Sequence, residues 1–153
     1  MVDITHRIGI KAPAAQVYKA LTSLDGLGHW WTEEVTGDSD KVGGKIVFTF
    51  HKKTGELRGT MVMEVQELTP QKEVRWRCVD GPPEWMGTDI IYKLVHEDNQ
   101  TTILFGHRNW REEVEFMSHC SMKWATFLLS LRAYVETGKG VPAPHDPPIG
   151  NWD

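Results

Sequence analysis

Residues 111–137, REEVEFMSHCSMKWATFLLSLRAYVET, decide the fold. The stretch contains neither proline nor glycine, and its bulky apolar residues recur at three- and four-residue spacing with polar residues between them. This spacing predicts one long helix with an apolar face. We expect the helix to lie in the concave side of a curved antiparallel sheet, where helix and sheet enclose a pocket. The apolar positions are Phe116, Cys120, Trp124, Phe127, Leu128, Leu131, Tyr134 and Val135.

Strand patterns dominate the chain before this helix. Alternating apolar and polar residues indicate half-buried antiparallel strands, and turn signals such as Lys53-Thr54-Gly55 separate them. Helical spacing predicts a short helix over residues 14–22, and a second turn or short helix covers 25–32. The predicted strands are residues 3–10, 46–50, 57–67, 74–78, 87–96 and 101–108.

This order of elements predicts an α+β fold of the helix-grip kind. A curved antiparallel sheet of six or seven strands wraps around the long C-terminal helix, and two short helices follow the first strand. A chain of 153 residues is expected to form one domain, which we place at residues 1–141. Residues 142–153 form a Pro-rich C-terminal tail, because its four prolines cannot continue the helix.

Composition excludes several classes of function. The net charge is −4, and the basic residues form no stripe that would neutralise phosphates, so nucleic acid is not an expected partner. No apolar run reaches bilayer-spanning length and no signal-peptide core is visible, so we expect a cytoplasmic protein without membrane insertion. Cys78 and Cys120 are expected to be reduced core thiols. The sequence has no phosphate loop, dinucleotide motif or His-Glu-x-x-His helix, so no cofactor is expected.

Inward-facing aromatic residues are the strongest candidates for a ligand surface. Parity along the strands and the helix face places them toward the interior, where large flat side chains suit an apolar or aromatic ligand. The alternative is that these side chains simply fill the core, as aromatic stripes usually do. The candidate ligand-binding residues are Phe48, Met63, Trp76, Trp85, Tyr92, Phe105, His107, Trp124 and Phe127.

His107 is the candidate for catalysis. It shares its parity with Phe105, so its imidazole should face the interior, where it can orient a ligand carbonyl or hydroxyl or act as a general acid or base. The alternative is a structural hydrogen-bonding histidine. A Cys–His nucleophile pair or a metal site requires His6, Cys78 or Cys120 to converge on the same cavity. Because their spacings match no ligand signature, no metal is expected.

Two features of the second short helix have alternative interpretations. His29 and Glu33 stand four residues apart and could share a helix face, but two ligands without a third make a weak metal site, so a surface ion pair is expected. Trp30 and Trp31 could gate the cavity mouth. Alternatively, Trp30 caps the core and Trp31 is partly exposed.

Both ends of the chain resemble one known superfamily. Residues 8–22, IGIKAPAAQVYKALT, followed by His29-Trp30-Trp31, are similar to the opening of START-like helix-grip proteins, also called SRPBCC proteins. The ending is similar too, through the strand with Phe105-Gly106-His107, Trp110 and the helix residues 124–138. The likeness covers residues 3 to about 141 and is strongest to the branch named for activators of the ninety-kilodalton heat-shock protein ATPase.

The resemblance implies a sheet that grips the C-terminal helix around a cavity. It implies binding of a small hydrophobic or aromatic molecule, because members of the superfamily bind lipids, sterols, polyketides or other apolar molecules. Some members are cyclases, dehydratases or hydrolases, so an enzyme of that kind using His107 is the alternative function. A third alternative is a chaperone-ATPase-associated module. The namesake co-chaperones carry an additional N-terminal domain that contacts the chaperone, and this chain begins at its first strand, so we favour a ligand-binding protein over chaperone contact.

Overall fold

Seven antiparallel strands form one sheet in the computed structural model, which describes residues 1–153. The spatial order is β1-β7-β6-β5-β4-β3-β2, so strands 2 to 7 form a meander and the first strand closes against the last. This sheet confirms the predicted α+β helix-grip fold. The strands are β1 (Val2–Ile10), β2 (Glu34–Gly37), β3 (Lys45–His51), β4 (Leu57–Thr69), β5 (Glu73–Asp80), β6 (Asp89–Glu97) and β7 (Gln100–Trp110).

Three α-helices accompany the sheet: α1 (Ala14–Thr22), α2 (Leu24–Trp30) and α3 (Glu115–Thr137). The Ser23 side chain accepts a hydrogen bond from the Gly26 backbone N–H and so caps the start of α2. None of the helices combines the length and apolar character needed to cross a bilayer. A short 3-10 helix, Pro83–Trp85, follows β5.

The structure corrects the predicted start of α3. Strand β7 continues to Trp110, which is buried, and the helix begins at Glu115 rather than at Arg111. Glu112 and Glu113 are exposed in the turn between β7 and α3. A stretch without proline or glycine was therefore not sufficient to predict helix at these positions.

Strand β2 was not among the predicted strands. It has only four residues, and all but Val35 are exposed, so it carries no alternating apolar signal. Its place in the sheet comes from pairing with β3, where Val35 lies opposite Phe48. With β2 included, the sheet has the larger of the two predicted strand numbers.

The core lies between the concave face of the sheet and α3. Trp30, Trp76, Trp110 and Trp124 are all fully buried, and they form the bulk of the packing together with the aliphatic side chains of α1 and the strands. Aromatic side chains each remove a large apolar area from water, so this cluster contributes strongly to the stability of the fold. One end of the space between sheet and helix stays open.

Candidate ligand-binding cavity

A cavity of about 860 Å³ opens at the end of the sheet formed by the β3–β4 hairpin. Its other walls are the 3-10 helix after β5, the first half of α3 and the C-terminal tail. The volume falls in the range of natural small-molecule sites. Aromatic rings make up most of the apolar wall: Trp31, Phe50, Trp85, Phe116, Trp124 and Phe127.

Polar side chains surround this aromatic wall. On the hairpin they are mostly basic and exposed, whereas carboxylates come from the end of β5 and from the tail. Asp80 forms no ion pair, and neither do Lys53 and Arg58, although Arg58 donates a hydrogen bond to the Trp152 carbonyl. The cavity thus joins an apolar interior to a charged mouth. The charged lining residues are Lys52, Lys53, Arg58, Asp80, Lys123, Asp146 and Asp153.

Trp85 and Trp124 form one fixed wall of the cavity. Their rings stack with centroids 5.9 Å apart and planes 17° apart. Trp85 ends the 3-10 helix, and its indole Nε1–H donates to Cys120 Sγ at 3.4 Å. Arg111 holds the same loop by donating to the carbonyls of Met86 and Pro83. Because both indoles are hydrogen-bonded and buried, this wall is rigid.

His107 lies behind that wall and is fully buried. Trp124 Nε1–H donates to His107 Nδ1 at 3.1 Å, so the ring proton of the neutral imidazole sits on Nε2 and faces Thr88 Oγ1 at 2.8 Å. Thr88 Oγ1 in turn donates to the Trp85 carbonyl at 2.6 Å. Both ring nitrogens are therefore occupied, and burial lowers the pKa of His107 to about 3.

Trp31 forms the part of the cavity wall that adjoins Trp124. It is 2% exposed and immediately follows α2, and its backbone carbonyl accepts a hydrogen bond from Ala143 N–H in the tail. Its ring packs on Phe48 at 4.3 Å, on Trp124 at 5.0 Å and on Trp76 at 6.0 Å between centroids. The interpretation in which Trp31 is partly exposed is therefore wrong. Trp30 is also buried, and its indole Nε1–H donates a hydrogen bond to the Ala20 carbonyl.

The C-terminal tail covers one side of the cavity through an ion cluster. Lys123 of α3 pairs with Asp146 at 2.8 Å and also with Asp153, and all three side chains are less than one-fifth exposed. Burial alone would raise the pKa of Asp153, but hydrogen bonds from Lys123 and from the backbone of Ile149 and Gly150 hold it below its usual value. The tail is therefore packed against the sheet and helix rather than extended into solvent.

The remaining sequence candidates separate in space. His6 contacts Ser121, Cys78 Sγ contacts the Asp80 carbonyl, and Cys120 contacts Trp85, so none of them meets His107. His29 bonds back to the Asp25 carbonyl instead of meeting Glu33. No group of three His, Cys, Asp or Glu side chains is arranged to hold a metal ion.

The structure places the nine predicted ligand-binding residues in two layers. Trp85, Trp124 and Phe127 line the cavity and lie together on its inner wall. The other six are buried beneath that lining, within the core: Phe48, Met63, Trp76, Tyr92, Phe105 and His107.

Sequence reasoning missed the contribution of the tail. Asp146 and Asp153 were assigned to a Pro-rich segment without a role, yet they hold Lys123 at the cavity wall. The available signal was Lys123 itself, a charged residue directly before the apolar Trp124 on the helix. A lysine at the border of a buried helix face generally needs a counter-charge.

Comparisons with known proteins agree with this architecture. The protein is similar to the Aha1 dimer from Colwellia psychrerythraea, whose solution structure matches with 45% identity and a TM-score of 0.80 over 92% of this chain and 100% of that one. Protein CV1439 from Chromobacterium violaceum has 19% identity and a TM-score of 0.74 over 89% of this chain and 99% of that one. CalU16 from Micromonospora echinospora has 20% identity and a TM-score of 0.68 over 89% of this chain and 77% of that one.

The two more distant structures share the fold alone, since their identity with this chain is low. Among curated proteins, no sequence matches this one. The family model described as Activator of Hsp90 ATPase homolog 1-like protein matches residues 11–136, which is most of the chain. The protein therefore belongs to the Activator of Hsp90 ATPase homolog 1-like family, within the START-like helix-grip proteins.

Proposed function

We propose that the protein binds a small hydrophobic or aromatic molecule in the cavity between the sheet and α3. The observation that carries this proposal is the aromatic wall: Trp31, Trp85, Trp124 and Phe127 present ring surface to a cavity of about 860 Å³. The indoles of Trp85 and Trp124, which their hydrogen bonds hold in place, offer a ligand stacking contacts at little entropic cost. A flat molecule of two or three fused rings fits the size of the space.

The geometry favours binding over catalysis at His107. Its two nitrogens are hydrogen-bonded to Trp124 and Thr88, and it is not among the residues that line the cavity. With its pKa lowered to about 3 by burial, the imidazole stays neutral at physiological pH. A cyclase, dehydratase or hydrolase reaction would need a group that reaches the ligand.

A titration followed by tryptophan fluorescence tests the proposal. Compounds from three classes, namely fatty acids, sterols and fused-ring aromatics, are added to the purified protein. Because three indoles line the cavity, we expect saturable quenching or a spectral shift with at least one aromatic compound. The absence of any saturable change across all three classes would contradict the proposal.

Matched tryptophan substitutions locate the binding. Met61→Trp adds bulk inside the cavity, whereas Met122→Trp makes the same change on the exposed face of α3. We expect the first to weaken binding at least about tenfold, or roughly 1.4 kcal/mol, and the second to leave it unchanged. Equal affinities in both variants would place the ligand elsewhere.

A second candidate function is that of a chaperone-associated module that assembles as a dimer. It is favoured by the 45% identity with a Colwellia protein described as an Aha1 dimer. Adding this protein to a purified bacterial Hsp90-type ATPase should then raise the rate of ATP hydrolysis, and sedimentation should give twice the monomer mass of 17.5 kDa. An unchanged hydrolysis rate would argue against the chaperone role, and a monomer mass would argue against the dimer.

A further inference from the structure

Two buried donors in the core have no hydrogen-bond partner within the protein. They are the Tyr92 hydroxyl on β6 and the indole Nε1–H of Trp76 on β5, and both side chains are 0% exposed. Most buried polar side-chain atoms in folded proteins are paired, because leaving one unpaired destabilises the folded state. Two such donors on rings that contact each other therefore point to a partner that the chain itself does not provide.

The two donors belong to one cluster of rings. Tyr92 and Trp76 contact each other edge to face with centroids 5.2 Å apart, on the concave face of the sheet. Burial raises the pKa of Tyr92 well above its usual value, so the hydroxyl keeps its proton and remains a donor. A second unpaired buried indole, that of Trp110, lies in another part of the core, where it packs edge to face on His107.

Trp31 lies between this cluster and the cavity. One face of its ring stacks on Trp76 with planes 1° apart, while the residue also lines the cavity. Trp85 and Trp124, the other two indoles of the cavity, are held by hydrogen bonds from Nε1, whereas the Trp31 indole makes none. Its ring is retained by packing alone, so a ligand ring can replace its contacts.

We propose that Trp76 and Tyr92 form a donor subsite behind Trp31, which takes the carbonyl oxygen of an aromatic ketone or aldehyde once the Trp31 ring moves aside. The proposal rests on the proposed function, since it requires that an aromatic molecule enters the cavity. It adds the ligand class: a flat ring system that carries an acceptor oxygen. Indole N–H only donates, so an acceptor is the group that fits.

The test compares 2-acetylnaphthalene with 2-ethylnaphthalene, which have similar shapes but differ in the carbonyl. Calorimetric titration of the wild-type protein should give a dissociation constant about tenfold lower for the ketone. Tyr92→Phe should reduce that preference to about threefold or less, because only the Trp76 donor remains. Tyr18→Phe is the matched control, since Tyr18 lies on α1 outside the cavity, and it should keep the wild-type preference.

Two further measurements separate a ligand contact from a structural role. The infrared carbonyl band of the bound ketone should shift to lower frequency in the wild type, relative to the ketone in hexane, and part of the shift should disappear in Tyr92→Phe. Without ligand, Tyr92→Phe should be at least as resistant to urea as the wild type, because the substitution removes an unpaired buried hydroxyl. A marked loss of stability without ligand would mean that the hydroxyl already has a partner, and would overturn the subsite.

The outcomes distinguish the subsite from the cavity. Equal affinities of the two compounds for the wild type, or an unshifted carbonyl band, would overturn the subsite while leaving cavity binding in place. Failure of both compounds to bind the wild type would overturn the subsite, and the fluorescence titration of the other compound classes then decides whether the proposed function falls with it.

Discussion

The chain of hydrogen bonds through His107 shows how one buried residue organises a wall made of other residues. The imidazole accepts from Trp124 and contacts Thr88, which in turn bonds the backbone of Trp85. The stacked indoles are thus fixed from behind, on the side away from the cavity. Protonation of the imidazole would break the first link, since Nδ1 could no longer accept.

This arrangement predicts a loss of stability in acid. The unfolded histidine has a pKa near 6.5, whereas burial lowers the folded value to about 3, so below pH 6.5 the unfolded chain binds a proton that the folded protein does not. Between pH 7 and pH 5, His107 should remove about 2 kcal/mol from the free energy of unfolding. Urea denaturation at the two pH values measures the difference.

His107→Gln is the control for that prediction. The amide can still accept from Trp124, but it does not titrate. The variant should be less stable than the wild type at pH 7 by about 1–3 kcal/mol and should lose correspondingly less on acidification. If both proteins lose the same stability between pH 7 and pH 5, the imidazole does not titrate as described.

Both thiols are expected to resist modification in the folded protein. Burial raises the pKa of Cys78 to about 11 and that of Cys120 to about 12, and only the thiolate reacts. At pH 8, an aromatic disulfide reagent should release its chromophore at least about 100-fold more slowly from the native protein than from the urea-unfolded protein. Rapid release of one equivalent from the native protein would show that a thiol is accessible and ionised.

At the level of single elements, the end of α3 depends on a left-handed residue. Gly138 has φ of 86°, and its backbone N–H donates to the Tyr134 carbonyl. A β-carbon there would meet nothing within 4 Å, so the cost of a substitution comes from the backbone alone. Gly138→Ala should lower the free energy of unfolding by about 1 kcal/mol, measured with urea.

Gly138→Asn is the comparison for this helix end, because asparagine tolerates the left-handed region better than alanine. We expect its loss of stability to be smaller than that of alanine. Equal losses for the two variants would mean that the strain is not in the backbone angle.

Which elements could be predicted from sequence depended on the length of their pattern. Helix α1 and the six longer strands were predicted because apolar residues recur over several positions, whereas β2 is too short and exposed to show a period. The start of α3 was misplaced because residues 111–114 carry no signal that separates a polar turn from a first helical turn. Only the end of β7 at the buried Trp110 marks that boundary.

The sequence predicted which face of the sheet carries the candidate site, but not where along the strands the cavity opens. Strand parity assigns Trp76 and Tyr92 to the concave side, and the structure has both buried there. Parity does not tell where along the strand the cavity opens, which depends on the hairpin between β3 and β4 and on the tail. Contacts between distant parts of the chain, such as that of Lys123 with Asp153, produce no periodic pattern in the sequence and so could not be predicted from it.

At the level of the whole molecule, the tail completes the cavity. Ala143 bridges to Thr32 beside the Trp31 wall, and Asp146 and Asp153 hold the tail to α3 through Lys123. Removing the ammonium would leave two largely buried carboxylates without a counter-charge, so the tail should detach to regain hydration.

Lys123→Met should therefore make the tail accessible. Limited proteolysis read by mass spectrometry should show cleavage within residues 142–153 much earlier than in the wild type, and acrylamide should quench Trp152 more strongly. Lys139→Met is the control, since Lys139 forms no ion pair. Identical cleavage rates in all three proteins would mean that the ion cluster does not retain the tail.

The pairing of β1 with β7 has a consequence for the order of folding. Strands 2 to 7 join neighbours through local hairpins, but Ile4 finds His107 only after almost the whole sheet has been made. Contacts between such distant positions form late, because the loop between them must first be closed. During synthesis, the first strand leaves the ribosome long before its partner exists, so the polypeptide carries an unpaired strand with one apolar face until β7 emerges.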